Sequence, residues 1–232
     1  MSKGLTQAEA KATIMNFAGF LNFRVPLDYK IRDTWKALYG VDGTGGGGFH
    51  SASASGGRGV VTIAAGNHKS SAALQRTLQH EVLGHFLINT YPPAEKRQII
   101  ENIISSENSP HLSANWDKVK TIYPDMPLTV QAEEVYASVA ERLDLSRIPS
   151  TEEDTCLHNS NRLITITDIE NSILNRVRDL QAGALEQKTF PDTDIHNGPF
   201  ISSNMERRLA EWRVDHGVDK GPSPTEPSGP RI

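Results

Sequence analysis

The sequence predicts an α+β fold, mostly helical with a small sheet. Apolar residues recur at helical spacing along several stretches, one short β-branched run stands between glycines, and 232 residues are enough for one sizeable core. We expect that domain over residues 1–215, with its centre at about 59–145, a flexible Gly/Ser loop at 43–58 and a disordered C-terminal tail at 216–232.

The elements follow in chain order. Ile14, Phe17, Ala18 and Leu21 mark an amphipathic helix from Thr6 to about Leu21, and Thr6 with Glu9 has the form of a capping box. A second helical stretch, Ile31 to Leu38, leads into Tyr39-Gly40. The tract from Gly43 to Gly59 includes four consecutive glycines, Gly45 to Gly48, and reads as loop because it offers a core almost no side chains. Gly59 to Gly66 is the strand. Asn67 to Ser71 is a turn whose serines can cap a helix from about Ala72 to Ile88, with Leu74, Leu78, Val82 and Leu83 as its apolar face. Pro92-Pro93 precedes a helix over Ala94 to Ser105, which carries Ile99, Ile100, Ile103 and Ile104. Trp116 to Ile122 forms a short helix that stops before Pro124. The remaining helices are Leu128 to Leu143, Thr167 to about Glu186 and the terminal Met205 to Val214.

Composition narrows the function. Hydrophobic residues at 37% and charged ones at 22% suit a soluble globular protein, and a formal net charge of -4 exerts no general attraction on nucleic acid or anionic membrane. Nucleic acid is therefore not indicated as a partner. No run of 18 apolar residues and no signal-type apolar segment occurs, so we expect a cytoplasmic chain. The single cysteine, Cys156, excludes an internal disulfide and a cysteine-cluster zinc site, leaving histidine and carboxylate as metal ligands.

The segment His80-Glu81-Val82-Leu83-Gly84-His85 concentrates those ligand types. In the common H-E-x-x-H zinc-hydrolase form the histidines stand four apart and share a helix face, with the glutamate as general base. Here they stand five apart, which on a regular helix leaves them about 140° apart around the axis. They converge only if the turn widens to an i to i+5 pattern, at about Val82 to His85, where Gly84 has the least steric objection to unusual backbone geometry. His80 and His85 are then candidate ligands and Glu81 the candidate base. The adjacent carboxylates Glu133-Glu134, on a helix with an apolar stripe, are the best source of a third ligand. A second arrangement keeps the helix regular, so that Glu81 and His85, four apart, share a carboxylate-rich iron or manganese site with His80 outside it.

The pairing of His80-Glu81-Val82-Leu83-Gly84-His85 with Glu133-Glu134 resembles the dipeptidyl-peptidase III family, whose motifs are H-E-L-L-G-H and E-E-C-R-A-E. The resemblance implies His80, His85 and Glu134 as ligands of one Zn²⁺, Glu81 as base and Glu133 as support for a histidine ligand. Position 136 is Tyr where that family has Arg, and position 138 is Ser where it has Glu. Residues 59 to 141, with their V-V-T-I-A strand and L-Q-H-E-V-L-G-H-F helix, are similar to the zincin-like metallopeptidase domains of phage and plasmid polyvalent proteins, and more distantly to plasmid antirestriction proteins. This likeness implies a mostly helical zincin-like metallopeptidase domain encoded by a mobile element. Its reaction is the hydrolysis of a protein or peptide substrate by metal-activated water, with Glu81 taking the proton. Such domains often place a histidine or tyrosine at the oxyanion, which makes Tyr136, Tyr91 and His196 candidates for transition-state contact; His50 and His68, near the strand, read as loop residues, with a place for His68 facing the cleft as the alternative. The alternative is a non-catalytic zinc-containing module, of antirestriction type, acting on DNA or on a host defence protein.

Overall fold

Thr6 caps α1 (Gln7–Leu21) as its spacing from Glu9 predicts: Thr6 Oγ1 accepts the Glu9 N–H at 3.2 Å and Glu9 Oε2 accepts the Thr6 N–H at 2.8 Å. The structure, a computed structural model, describes residues 4–23, 27–40, 42–50, 59–148, 157 and 163–183. After α1 the chain enters β1 (Leu27–Arg32), whose last two residues fall where the helical spacing predicts a helix from Ile31 onward. Leu27, Tyr29 and Ile31 turn inward while Asp28, Lys30 and Arg32 are exposed, the period of two that a strand on the core requires. The helix, α2 (Trp35–Tyr39), is confined to one turn and packs Trp35 against Tyr39.

The tract read as loop contains β2 (Gly47–His50), which pairs antiparallel with β3 (Gly59–Ala64). Glycine is what admits it. A Cβ at Gly47 would stand 2.8 Å from Thr62 O and 2.9 Å from Thr77 Cγ2, so only a bare backbone fits there. β1 pairs with the other edge of β3 in parallel, giving the order β1-β3-β2. Residues 51–58 of that tract lie outside the described residues, as do the terminal helix expected at Met205 to Val214 and the tail at 216–232.

The helix expected from Ala72 to Ile88 has two parts. α3 (Ser71–Leu78), capped by Ser70, continues without a break into a π-helical segment, Gln79–Phe86. α4 (Pro93–Ser105), α5 (Ser113–Ile122), α6 (Leu128–Ala140) and α7 (Ile166–Ala182) come after it. α6 is the central element, since every residue from Val130 to Ala140 is buried. Val82, Leu83 and Phe86 from the π segment, Ile99, Ile100 and Ile103 from α4, Val135 and Val139 from α6, and Ile173 and Val177 from α7 join Val61 and Ile63 of β3 in one hydrophobic core. Each such side chain contributes about 1.5–3 kcal/mol when fully buried. The architecture is α+β, mostly helical with a three-stranded mixed sheet. Among the described residues no helix is long and apolar enough to cross a membrane.

Candidate metal centre

The widened turn expected at Val82 to His85 is present and extends over Gln79–Phe86. It swings His80 and His85 onto one side, with their Nε2 atoms 3.1 Å apart and their rings edge to face at 4.8 Å. One donor atom from each of His80, Glu81 and His85 lies within 4.8 Å of the others. The regular-helix arrangement with His80 outside the site is therefore not the one adopted.

Gly84 serves this geometry by a different route from the one its backbone freedom suggests. Among the described glycines only Gly40 and Gly183 have positive φ, so Gly84 holds no left-handed conformation. A Cβ on it would instead stand 2.5 Å from Ala137 Cβ and 2.6 Å from Ala137 Cα, inside any real contact distance. Its missing side chain lets α6 press against the π segment and carry its carboxylates to the histidines.

Glu134 Oε2 lies 3.4 Å from His80 Nε2, and its Oε1 lies 3.8 Å from His85 Nε2. A tetrahedral ion with metal–ligand bonds of about 2.0–2.1 Å separates its ligands by about 3.4 Å. The spacings of 3.1, 3.4 and 3.8 Å bracket that value. The charges fit as well. Glu81, Glu133, Glu134 and Glu141 gather around these rings, with Lys96 and Lys118 paired to Glu133 and Glu141. With both rings neutral, as metal ligation requires, a divalent cation cancels the two negative charges left over.

Each imidazole is oriented from behind by a carboxylate. His85 Nδ1 donates to Glu133 Oε1 at 3.1 Å, and His80 Nδ1 donates to Glu141 Oε1 at 3.0 Å. A carboxylate can only accept, so Nδ1 carries the proton and Nε2 is left to face the site on both rings. Lys96 pairs with Glu133 Oε2 at 2.9 Å, and Lys118 with Glu141 Oε2 at 3.2 Å. Burial alone would push the Glu133 carboxyl up, but the charge of Lys96 and the bond from His85 outweigh it and hold it at about 2. For His80, burial opposes the charged ring, yet the bonds to Glu134 and Glu141 prevail and hold it well above its ordinary value. His85 is raised too, because its bond to Glu133 and the charge of Glu134 together overcome burial.

Glu141, Lys96, Lys118 and Tyr123 are additions that the sequence reasoning missed. Tyr123, just past α5, donates to Glu134; burial and then the charges of Glu134 and Glu81 push its phenol far above the ordinary range. Tyr136, read as a transition-state contact, is fully buried and interacts with Tyr91, Ser172 and Arg176, on the side of α6 that meets α7. Tyr91 is held there as well, with its hydroxyl 2.9 Å from Ser172 Oγ and the Arg176 guanidinium 4.3 Å from its ring. His68 is no loose loop residue: its Nδ1 donates to Ala64 O at 3.0 Å and its Nε2 accepts from Thr77 Oγ1 at 3.0 Å. His50 falls in β2, and His196 lies outside the described residues.

Comparison with known proteins gives an informative match. Over 208 residues, 81% of the chain, the sequence is 30% identical to a protein of Escherichia coli named DNA primase TraC. The chain spans 14% of that protein's length. No protein-family model matches the chain. No solved structure matches it either. The match corrects several expectations at once. A likeness to a DNA primase overturns the assignment to zincin-like metallopeptidases, the role as a zinc metallopeptidase that hydrolyses peptide bonds, and the protein or peptide substrate. It also overturns the inference that nucleic acid is not indicated: a net charge of -4 describes the whole chain and does not exclude a DNA-facing part.

Proposed function

We propose that this chain is a divalent-metal-binding module of a protein that acts on DNA. The observation that carries the reading is the convergence of His80 Nε2, His85 Nε2 and Glu134 made by the π segment and α6. The resemblance to a DNA primase supports nucleic acid as the partner.

His80 and His85 supply two nitrogen donors, Glu134 supplies oxygen, and Glu133 and Glu141 keep both rings turned inward. A bound divalent cation supplies Lewis acidity to a phosphoryl oxygen and lowers the pKa of a coordinated water. Glu81, buried beside His80, can accept a proton from a water or hydroxyl that enters the site. A bound cation places two positive charges and open coordination positions where a phosphate group would arrive. DNA association should therefore depend on the metal.

The full chain, stripped with chelator and reloaded with Zn²⁺ or Mn²⁺, tests this by metal analysis and by fluorescence anisotropy with single-stranded DNA. We expect one ion per chain in the wild type and in Glu81→Gln, loss of the ion in His85→Ala, and tighter DNA binding in the loaded form. A chain that takes up no metal, or that binds DNA equally well loaded and stripped, overturns the reading.

A further inference from the structure

We propose that Lys96 is a positioning residue for this centre, locking His85 at both its ring and its backbone. The inference rests on the metal-centre reading and extends it to a residue on α4.

Lys96 is 2% exposed. Its ammonium stands 2.9 Å from Glu133 Oε2 and donates to Asn89 Oδ1 at 2.8 Å. Glu133 accepts from His85 Nδ1 through its other oxygen at 3.1 Å, and Asn89 Nδ2 donates to the His85 carbonyl oxygen at 2.6 Å. The contacts close a ring: His85 side chain, Glu133, Lys96, Asn89, His85 backbone. Lys96 is the member that joins the side-chain half to the backbone half.

The ring explains why a lysine occupies a core position. A buried carboxylate stays ionised only beside a compensating charge, and an ionised Glu133 is the form that accepts from His85 Nδ1 and makes the imidazole a better donor at Nε2. The Asn89 contact holds the carbonyl at the C-terminal end of the π segment, where the backbone returns to ordinary helix at Leu87. Removing the ammonium loosens His85 at both points. Among the described residues His80 has no such ring; the arm behind it, Glu141 and Lys118, reaches its side chain.

The full-length chain carrying Lys96→Met, which keeps the length of the side chain and removes its charge, tests this. Co²⁺ is the probe, with affinity measured by chelator competition and the ligand field read from the visible spectrum. We expect affinity to fall about 10–100-fold, the range typical of lost outer-shell partners, together with a changed Co²⁺ spectrum. Glu141→Gln should give a smaller loss. Where Lys96→Met fails to fold, Asn89→Ala opens the ring at its backbone half and leaves Glu133 beside Lys96; a smaller loss of affinity with a changed spectrum is expected in it, and wild-type affinity and spectrum in it overturn the ring. Wild-type affinity and an unaltered spectrum in a folded variant overturn the role of Lys96 while leaving the metal centre intact. A wild-type chain that takes up no Co²⁺ overturns the metal centre, and Lys96 with it.

Discussion

The two histidines of the centre are held by arms of the same composition in opposite surroundings. Behind His85, the Glu133 and Lys96 side chains are 1% and 3% exposed; behind His80, those of Glu141 and Lys118 are 24% and 46% exposed. Ionic groups in the core depend on one another, because none has water to fall back on. Groups at the surface exchange protein for solvent at little cost. The buried arm is thus a fixed part of the fold that also serves the site. The exposed arm is the side that solvent reaches.

The largest expected effect separates the arms directly. Glu133→Leu strands the Lys96 ammonium in the core, and breaking a buried pair costs about 3–5 kcal/mol. Glu141→Gln should cost less than about 1 kcal/mol, because its partners are reached by solvent. Urea denaturation of the metal-free variants measures both, and equal losses would erase the distinction drawn between the arms.

Next in size is a change that strikes both arms together. Gly84→Ala puts a methyl group against Ala137, and overpacking of this kind costs about 1–3 kcal/mol. The π segment must then move from α6, and Glu133, Glu134 and Glu141 recede from the histidines. Metal affinity should drop along with stability. A variant of full stability and wild-type affinity would show that the close approach is dispensable.

How much of the fold and the site is legible in the sequence depends on the kind of signal. The fivefold spacing of His80 and His85 requires a widened turn, and Glu133-Glu134 stands out as paired carboxylates on an apolar helix. β1 is harder to see although Leu27, Tyr29 and Ile31 alternate with Asp28, Lys30 and Arg32, because the helical spacing around Trp35 overlaps its end. Lys96 also leaves a trace. It stands three, four and seven residues before Ile99, Ile100 and Ile103, on the same stripe, where a charge must be buried with a partner. Glu141 stands eight residues after Glu133, about 80° from it on a helix, which looks like any solvated face until the approach of His80 on the π segment is known. Tyr123 leaves none, since its approach to Glu134 depends on how the loop after α5 folds.

His68 provides an internal reference for the electrostatics of both arms. Burial lowers its pKa, with only partial compensation from backbone bonds to Ala64 and Ala65. It should be neutral, protonated at Nδ1, in the metal-free protein at pH 6.5, where His80, held well above its ordinary value, carries charge. The stability consequences have opposite signs. His80 and His85, raised in the folded state, stabilise the metal-free protein below their unfolded value of about 6.5 and lose that contribution as pH rises through their folded values. His68, lowered, costs stability as pH falls through about 6.5. Imidazole ¹H–¹⁵N spectra of the chelated protein distinguish the three rings, and a protonated His68 under these conditions would contradict its burial between Ala64 and Thr77.

The smallest effect belongs to the outermost group. Lys118 is half exposed and pairs with Glu141 at 3.2 Å, so Lys118→Met should change stability by less than about 1 kcal/mol. Its influence on the metal passes through Glu141 to His80, and solvent screens both steps. The loss of Co²⁺ affinity should therefore be smaller than that of Lys96→Met and should shrink further as salt is raised, whereas the Lys96→Met loss should be insensitive to salt. Titrations of the two variants at low and high ionic strength measure this difference. A salt-sensitive Lys96→Met, or a salt-insensitive Lys118→Met, would mean that burial is not what sets the two arms apart.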